Sequence, residues 1–167
     1  LTFWFEPGRR ALWYATNESF DEEIRQRFLA TYEAAHSGQL DAWRETPHSL
    51  LALIVVLDQF PRNMFRGSAR AFAADEQAAG LTREGIEKGF DQALEGAQRD
   101  FFTMPLMHSE TLADHELLVA LGRGADRYAR GHRETIARFG RFPYRNEALG
   151  RQSTPEETAW LASRRTS

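Results

Sequence analysis

Apolar side chains recur along this chain at helical spacing. Phe20, Ile24, Phe28 and Tyr32 follow one another at intervals of four, behind Ser19 and Glu22 and ahead of Gly38. Ser19 with Glu22 reads as a capping box, so the pattern predicts an amphipathic helix that glycine stops. Thr46 and Pro47 combine a cap with a proline suited to the first helical position, and the unbroken apolar run 50–57 follows, closed at Pro61. Because Ile54, Val55 and Val56 are β-branched, a buried strand competes for that run. No other segment alternates over a strand's length, so such a strand would lack a partner, and a helix buried on all sides is the reading adopted. Residues 71–88, closed by Gly89, and 91–102, with apolar positions at Leu94, Ala97, Phe101 and Phe102, predict two more helices. Thr111 with Asp114 opens another over 112–121, Gly122 and Gly124 interrupt it, and 125–139 resumes. Thr154, Pro155 and Glu157 supply a cap, a proline and a third-position glutamate for a terminal helix to about Ser163. Six or seven helices with short connections and no sheet predict an all-α fold, a stack of helical hairpins forming a single domain over residues 1–167.

Composition narrows the possibilities. A chain of 167 residues can bury roughly 70% of its unfolded surface in one core. The longest apolar run has eight residues, far short of the roughly 20 that cross a bilayer. With no cysteine there is no disulfide framework and no thiolate metal site, and a cytoplasmic location is expected. A chain beginning at Leu1 is expected to lack part of its natural amino terminus. The net charge of −3 argues against nucleic-acid or membrane-surface binding, but it hides a segregation. Residues 1–122 carry 11 basic and 19 acidic side chains, whereas 123–151 carry eight arginines against Asp126, Glu134 and Glu147, a local balance of +5.

Two segments echo each other. Phe60-Pro61-Arg62-Asn63 and Phe142-Pro143-Tyr144-Arg145-Asn146 each place an aromatic, a proline, an arginine and an asparagine after an apolar helix. In each the proline is expected to end the helix and the asparagine to fold back on local backbone. Coincidence and a helical repeat both remain open. The run Leu57-Asp58-Gln59-Phe60-Pro61-Arg62-Asn63-Met64-Phe65-Arg66-Gly67, then Ala71-Phe72-Ala73, Met104-Pro105-Leu106-Met107-His108-Ser109-Glu110 and Arg138-Phe139-Gly140-Arg141-Phe142-Pro143-Tyr144-Arg145-Asn146 carry a resemblance. With Leu149-Gly150-Arg151 and Ser153-Thr154-Pro155-Glu156-Glu157, these blocks resemble the bacterial family called domain of unknown function 924, from Phe3-Trp4-Phe5 to Trp160. Tyr144 stands where that family is expected to have histidine, and His115 where it has glutamine. The resemblance implies an all-helical fold similar to tetratricopeptide repeats and supplies no reaction. No period of about 34 residues is visible.

Three constellations carry candidate chemistry. Asp58 is placed in the last turn before Pro61, where the helix dipole disfavours a carboxylate and Arg62 or Arg66 is the expected partner. On one reading that pair clamps the corner while Gln59 and Asn63 satisfy backbone; on the other Asp58 orients an arginine or histidine toward a ligand. His108, Ser109 and Glu110 lie at a helix mouth, whose free N–H groups favour an anion, and a histidine side chain is suited to act as acid or base. The third is the arginine stretch. His132 shares a helical stripe with Ile136, and Arg138, Arg141, Arg145 and Arg151 follow through a proline-containing loop with Asn146 among them. Either these guanidinium groups pair internally with the acid-rich first 122 residues, or they line a pocket for a carboxylate or phosphate.

His108, Glu110, Asp114, His115 and His132 form no recognised metal-ligand motif, so no metal is expected, and no fingerprint calls for a cofactor. The reading that follows is a helical protein binding an anionic small molecule where residues 58–66, 108–110 and 138–151 converge. Asp58, Gln59, Arg62, Asn63, Arg66, His108, Glu110, His132, Arg138, Arg141, Arg145, Asn146 and Arg151 are its expected contacts. If chemistry occurs there, in a hydrolase-like enzyme, His108 or His132 is the acid or base and Asp58 orients a partner. The competing reading is an interaction module that receives a peptide carboxylate.

Overall fold

The computed structural model describes residues 1–164, and among them every regular element is helical. Among the described residues there are eight α-helices: α1 (Thr2–Phe5), α2 (Glu18–His36), α3 (Pro47–Met64), α4 (Asp75–Glu87), α5 (Gly96–His108), α6 (Leu112–Ala120), α7 (Arg127–Phe139) and α8 (Pro155–Arg164). Short 3-10 turns at Pro7–Leu12, Asp41–Glu45, Ala69–Phe72, Phe90–Ala93 and Pro143–Arg145 punctuate them. The count exceeds the expected six or seven because four-residue α1 carries no helical period to detect. No described helix is long and apolar enough to cross a membrane.

The chain separates into two compact units, with the division inside α5. Unit 1 comprises Leu1–Arg66 and Arg70–Pro105, and unit 2 comprises Gly67–Ala69 and the described residues from Leu106 onward. At the centre of unit 1 lies α3, packed between α2 and α4. Its buried positions include every residue from Leu53 to Pro61, which confirms the helix over the strand for this apolar run. Thr46 and Ser49 cap each other reciprocally at its start. Around α3 gather Trp4, Phe20, Ile24, Tyr32, Phe101 and Phe102, all nearly or fully buried.

Several sequence expectations are corrected in detail. Asn17, not Ser19, caps α2: its side chain accepts the Phe20 N–H at 2.9 Å, two residues earlier than the capping-box reading. Residues 71–74 are not α-helical; Asp75 is the first residue of α4 and Gly96 of α5. Pro61 does not end α3, which continues to Met64. Proline removes one backbone donor near the helix end, and the Arg62 guanidinium returns a donor to the neighbouring Asp58 carbonyl. Asp58 therefore stands well inside the helix, not in its last turn.

Unit 2 is built from α6 against α7 and from the 3-10 turn at Pro143–Arg145 against α8. Asp126 caps α7 by accepting from the N–H groups of Tyr128 and Ala129 at 2.7 and 2.9 Å. Gly140, at φ +66°, ends α7 in the left-handed conformation that side chains disfavour. Pro143 then opens a 3-10 turn, so the two echoing corners differ in conformation: one proline is inside a helix and the other starts a turn. They are not equivalent units of a repeat. The terminal capping box forms as expected, Thr154 Oγ1 accepting from Glu157 N–H and Glu157 Oε2 from Thr154 N–H at 3.2 and 2.7 Å.

Candidate functional site

The corner at 58–66 satisfies itself within unit 1. Asp58 is fully buried, forms an ion pair with Arg62 at 3.2 Å and accepts from Gln59 Nε2. Arg62 in turn makes a two-pronged bond to Asp75, both contacts at 2.8 Å. Asp21, projecting from α2, receives Asn63 at 2.7 Å and both prongs of Arg66 at 2.9 Å. The clamp reading of Asp58 is thus correct as to its arginine. Gln59 and Asn63 do not satisfy backbone groups as expected; their amides reach the carboxylates of Asp58 and Asp21, because an ionised carboxylate is a stronger acceptor than a carbonyl. Unit 1 also holds a cavity of about 590 Å³ lined by Phe3, Phe5, Arg9, Arg27, His48 and Gln98 among others, with none of the expected site residues in its wall.

Unit 2 brings the other two constellations together. Glu110, between α5 and α6, accepts from the Phe142 N–H at 2.7 Å and from both terminal nitrogens of Arg151 at 2.7 and 2.9 Å. Burial alone would raise the Glu110 carboxyl, but the bonds from Arg151 and Phe142 outweigh it, so the group lies below its ordinary value. Arg145, only 4% exposed, donates to the His108 carbonyl at 3.0 Å and lies 4.5 Å from the centroid of the Phe142 ring. Arg141 grips buried Glu157 with two bonds of 2.6 and 2.8 Å. Those bonds, against an opposing effect of burial, hold Glu157 at about 2. Arg138 pairs with Glu156 at the surface. Most of the arginine stretch is therefore matched by carboxylates, and for Arg138 and Arg141 the partners come from α8, not from the first 122 residues.

Phe142 is the hub of this unit. The rings of His115 and His132 stand edge-on to it, with centroids 6.2 and 5.2 Å away, and Tyr144 stacks on it at 5.3 Å. Burial holds His132 neutral, pushing it from 6.5 down to about 4, with the charges of His108, His115 and Arg145 adding to the effect. Burial likewise lowers His115, more than its bond to the Ser109 carbonyl and nearby Asp114 raise it. Buried polar atoms without a hydrogen-bond partner in the structure include, here, His115 Nδ1, His132 Nδ1, Asn146 Oδ1 and Arg151 Nε. Asn146 spends its amide nitrogen on Ser153 and Glu157, at 3.0 and 3.3 Å. Among the described residues no three metal-binding side chains gather as a metal site would require.

A family model described as a bacterial protein of unknown function, DUF924, matches residues 1–165. The chain belongs to this family. A solved structure, a protein of unknown function from Agrobacterium tumefaciens, is 38% identical to it and aligns with a TM-score of 0.88 over 96% of this chain and 93% of that one. No curated protein matches. For this DUF924 member, function therefore rests on side chains. His115, weighed in the sequence only as a possible metal ligand and a departure from the family pattern, is not among the expected ligand contacts, yet its ring lies against Phe142. α5 ends at His108 and α6 begins at Leu112, so no helical spacing in the sequence signals that His115 comes to lie beside Phe142.

Proposed function

We propose that this protein binds a small anionic ligand in unit 2, at the polar cluster around Phe142. The observation that supports it is the set of buried atoms at His115, His132, Asn146 and Arg151 whose hydrogen-bonding capacity is unspent. Buried polar groups are normally paired, since leaving one unpaired costs about 1–3 kcal/mol, so a concentration of them favours a ligand or ordered water. The unspent Nε of Arg151 and the guanidinium of Arg145 beside Phe142 offer that ligand cationic donors, which favours a carboxylate or phosphate. Arg138 and the 58–66 corner are left to structural pairing in this reading.

Thermal stabilisation by phosphate, sulfate and small carboxylates tests it, in the wild type and in Arg151→Lys, which keeps the charge and removes the Nε donor. Stabilisation of the wild type that weakens in Arg151→Lys supports the proposal; no stabilisation by any of these anions overturns it. The architecture we propose is a tetratricopeptide-like stacking of hairpins, supported by the packing of α2 on α3 and α3 on α4 within unit 1 and of α6 on α7 within unit 2. Exposed Leu112, Val119 and Tyr128 on α6 and α7 favour a second reading, a peptide partner.

A further inference from the structure

His115 is 1% exposed, and its Nε2 lies 2.9 Å from the Ser109 carbonyl oxygen. A carbonyl oxygen only accepts, so the facing nitrogen carries the proton, and in a neutral ring the other nitrogen is then a bare lone pair. That nitrogen, Nδ1, is buried and has no donor in the structure. Asn146 presents a second acceptor of the same kind: its nitrogen is engaged, which fixes the amide's orientation and leaves Oδ1 buried without a donor. Arg151 Nε, by contrast, is a donor awaiting an acceptor. The unspent groups thus include both signs of hydrogen bond. Sulfate, which carries no proton at neutral pH, serves the donor and leaves the acceptors unpaired. We infer that the cluster recognises a ligand that joins a negative charge to a hydroxyl, with His115 Nδ1 as the acceptor of the hydroxyl proton.

This inference rests on the anion-binding reading and adds to it the ligand's second functional group and a residue to receive it. Ser109 is a positioning group: its carbonyl decides which nitrogen of His115 is bare. Glutamine at position 115 places a terminal NH2 near the Nε2 position, so it retains the bond to Ser109 and loses only the acceptor at Nδ1.

The experiment uses the intact protein with two probes that differ by one hydroxyl, lactate and propionate, followed by nitrogen-15 spectra of the histidine rings. The expected result is a wild-type His115 with its proton on Nε2, a lactate affinity about tenfold or more above that for propionate, and a perturbation of the Nδ1 signal by lactate alone. In His115→Gln the two acids then bind alike. Equal binding of lactate and propionate to the wild type overturns this inference and leaves the anion reading standing, whereas failure of both to bind overturns this inference, and the anion reading falls with it when phosphate and sulfate also fail to stabilise the protein. A proton on Nδ1 in the ligand-free wild type overturns the inference without recourse to any variant.

Discussion

Acidification tests whether the imidazole of His132 is held as the structure describes. Its folded value of about 4 lies below the ordinary 6.5, so between those limits the unfolded chain binds a proton that the folded chain does not. Stability therefore rises with pH through this window, is fully present above about pH 7, and is lost as pH falls toward 4. Between about pH 7.5 and 5.5 the linkage relation gives about 1.3 kcal/mol for this one group, and allowing for its partial access to solvent leaves about 1 kcal/mol. His115, lowered in the same direction by burial, adds to that loss. Glu110 and Glu157 do not confuse the measurement, because both lie below their ordinary 4.5 and release their stability only at more acid pH. The assay is urea unfolding at both pH values, for the wild type and for His132→Gln, with the ring signals of His132 followed by NMR. The variant is expected to lose about 1 kcal/mol of the wild-type pH sensitivity. Superimposable pH profiles, or a His132 midpoint near 6.5, would refute the claim that this ring is buried and neutral.

Other expectations concern the scaffold. In Glu157→Gln the Arg141 guanidinium loses its two-pronged partner and α8 its charged cap, so a loss of about 3 kcal/mol is expected, read as faster amide exchange through residues 141–158. Gly85→Ala would bring a methyl group to 2.4 Å from Phe102 and 2.8 Å from Leu50, and is expected to lower the unfolding free energy of unit 1 by about 1–3 kcal/mol in urea titrations. Asp126→Ala removes the acceptor for two N–H groups at the start of α7 and should cost about 1 kcal/mol, visible as fraying of Arg127–Arg130 in amide exchange.

How far the sequence could be read depended on how local each determinant is. The helix at 155–164 was legible because Thr154, Pro155 and Glu157 interact within one turn, and the capping box forms from those same side chains. The buried helix through Val55 was legible because no strand partner existed elsewhere in the chain. Pro61 misled because a proline near a helix end removes only the one donor that would face the Leu57 carbonyl, and whether the helix runs on is decided by tertiary contacts such as the pairing of Arg62 with Asp75, thirteen residues away. The arginine stretch was the least legible, for the same reason. Its charge balance of +5 is real over 123–151, but Glu110, Glu156 and Glu157 lie outside that window and meet Arg151, Arg138 and Arg141 only once the chain folds.

Formal charge along a segment measures demand for counter-charge without saying where the supply lies, so it cannot separate an ion-paired scaffold from an open site. Unspent hydrogen-bonding capacity can, because it counts what remains after pairing. By that measure the centre of interest moves away from Arg138 and Arg141, whose carboxylates are found. It moves toward the imidazoles and amide beside Phe142, which carry no formal charge at neutral pH and which a charge count of the sequence passes over.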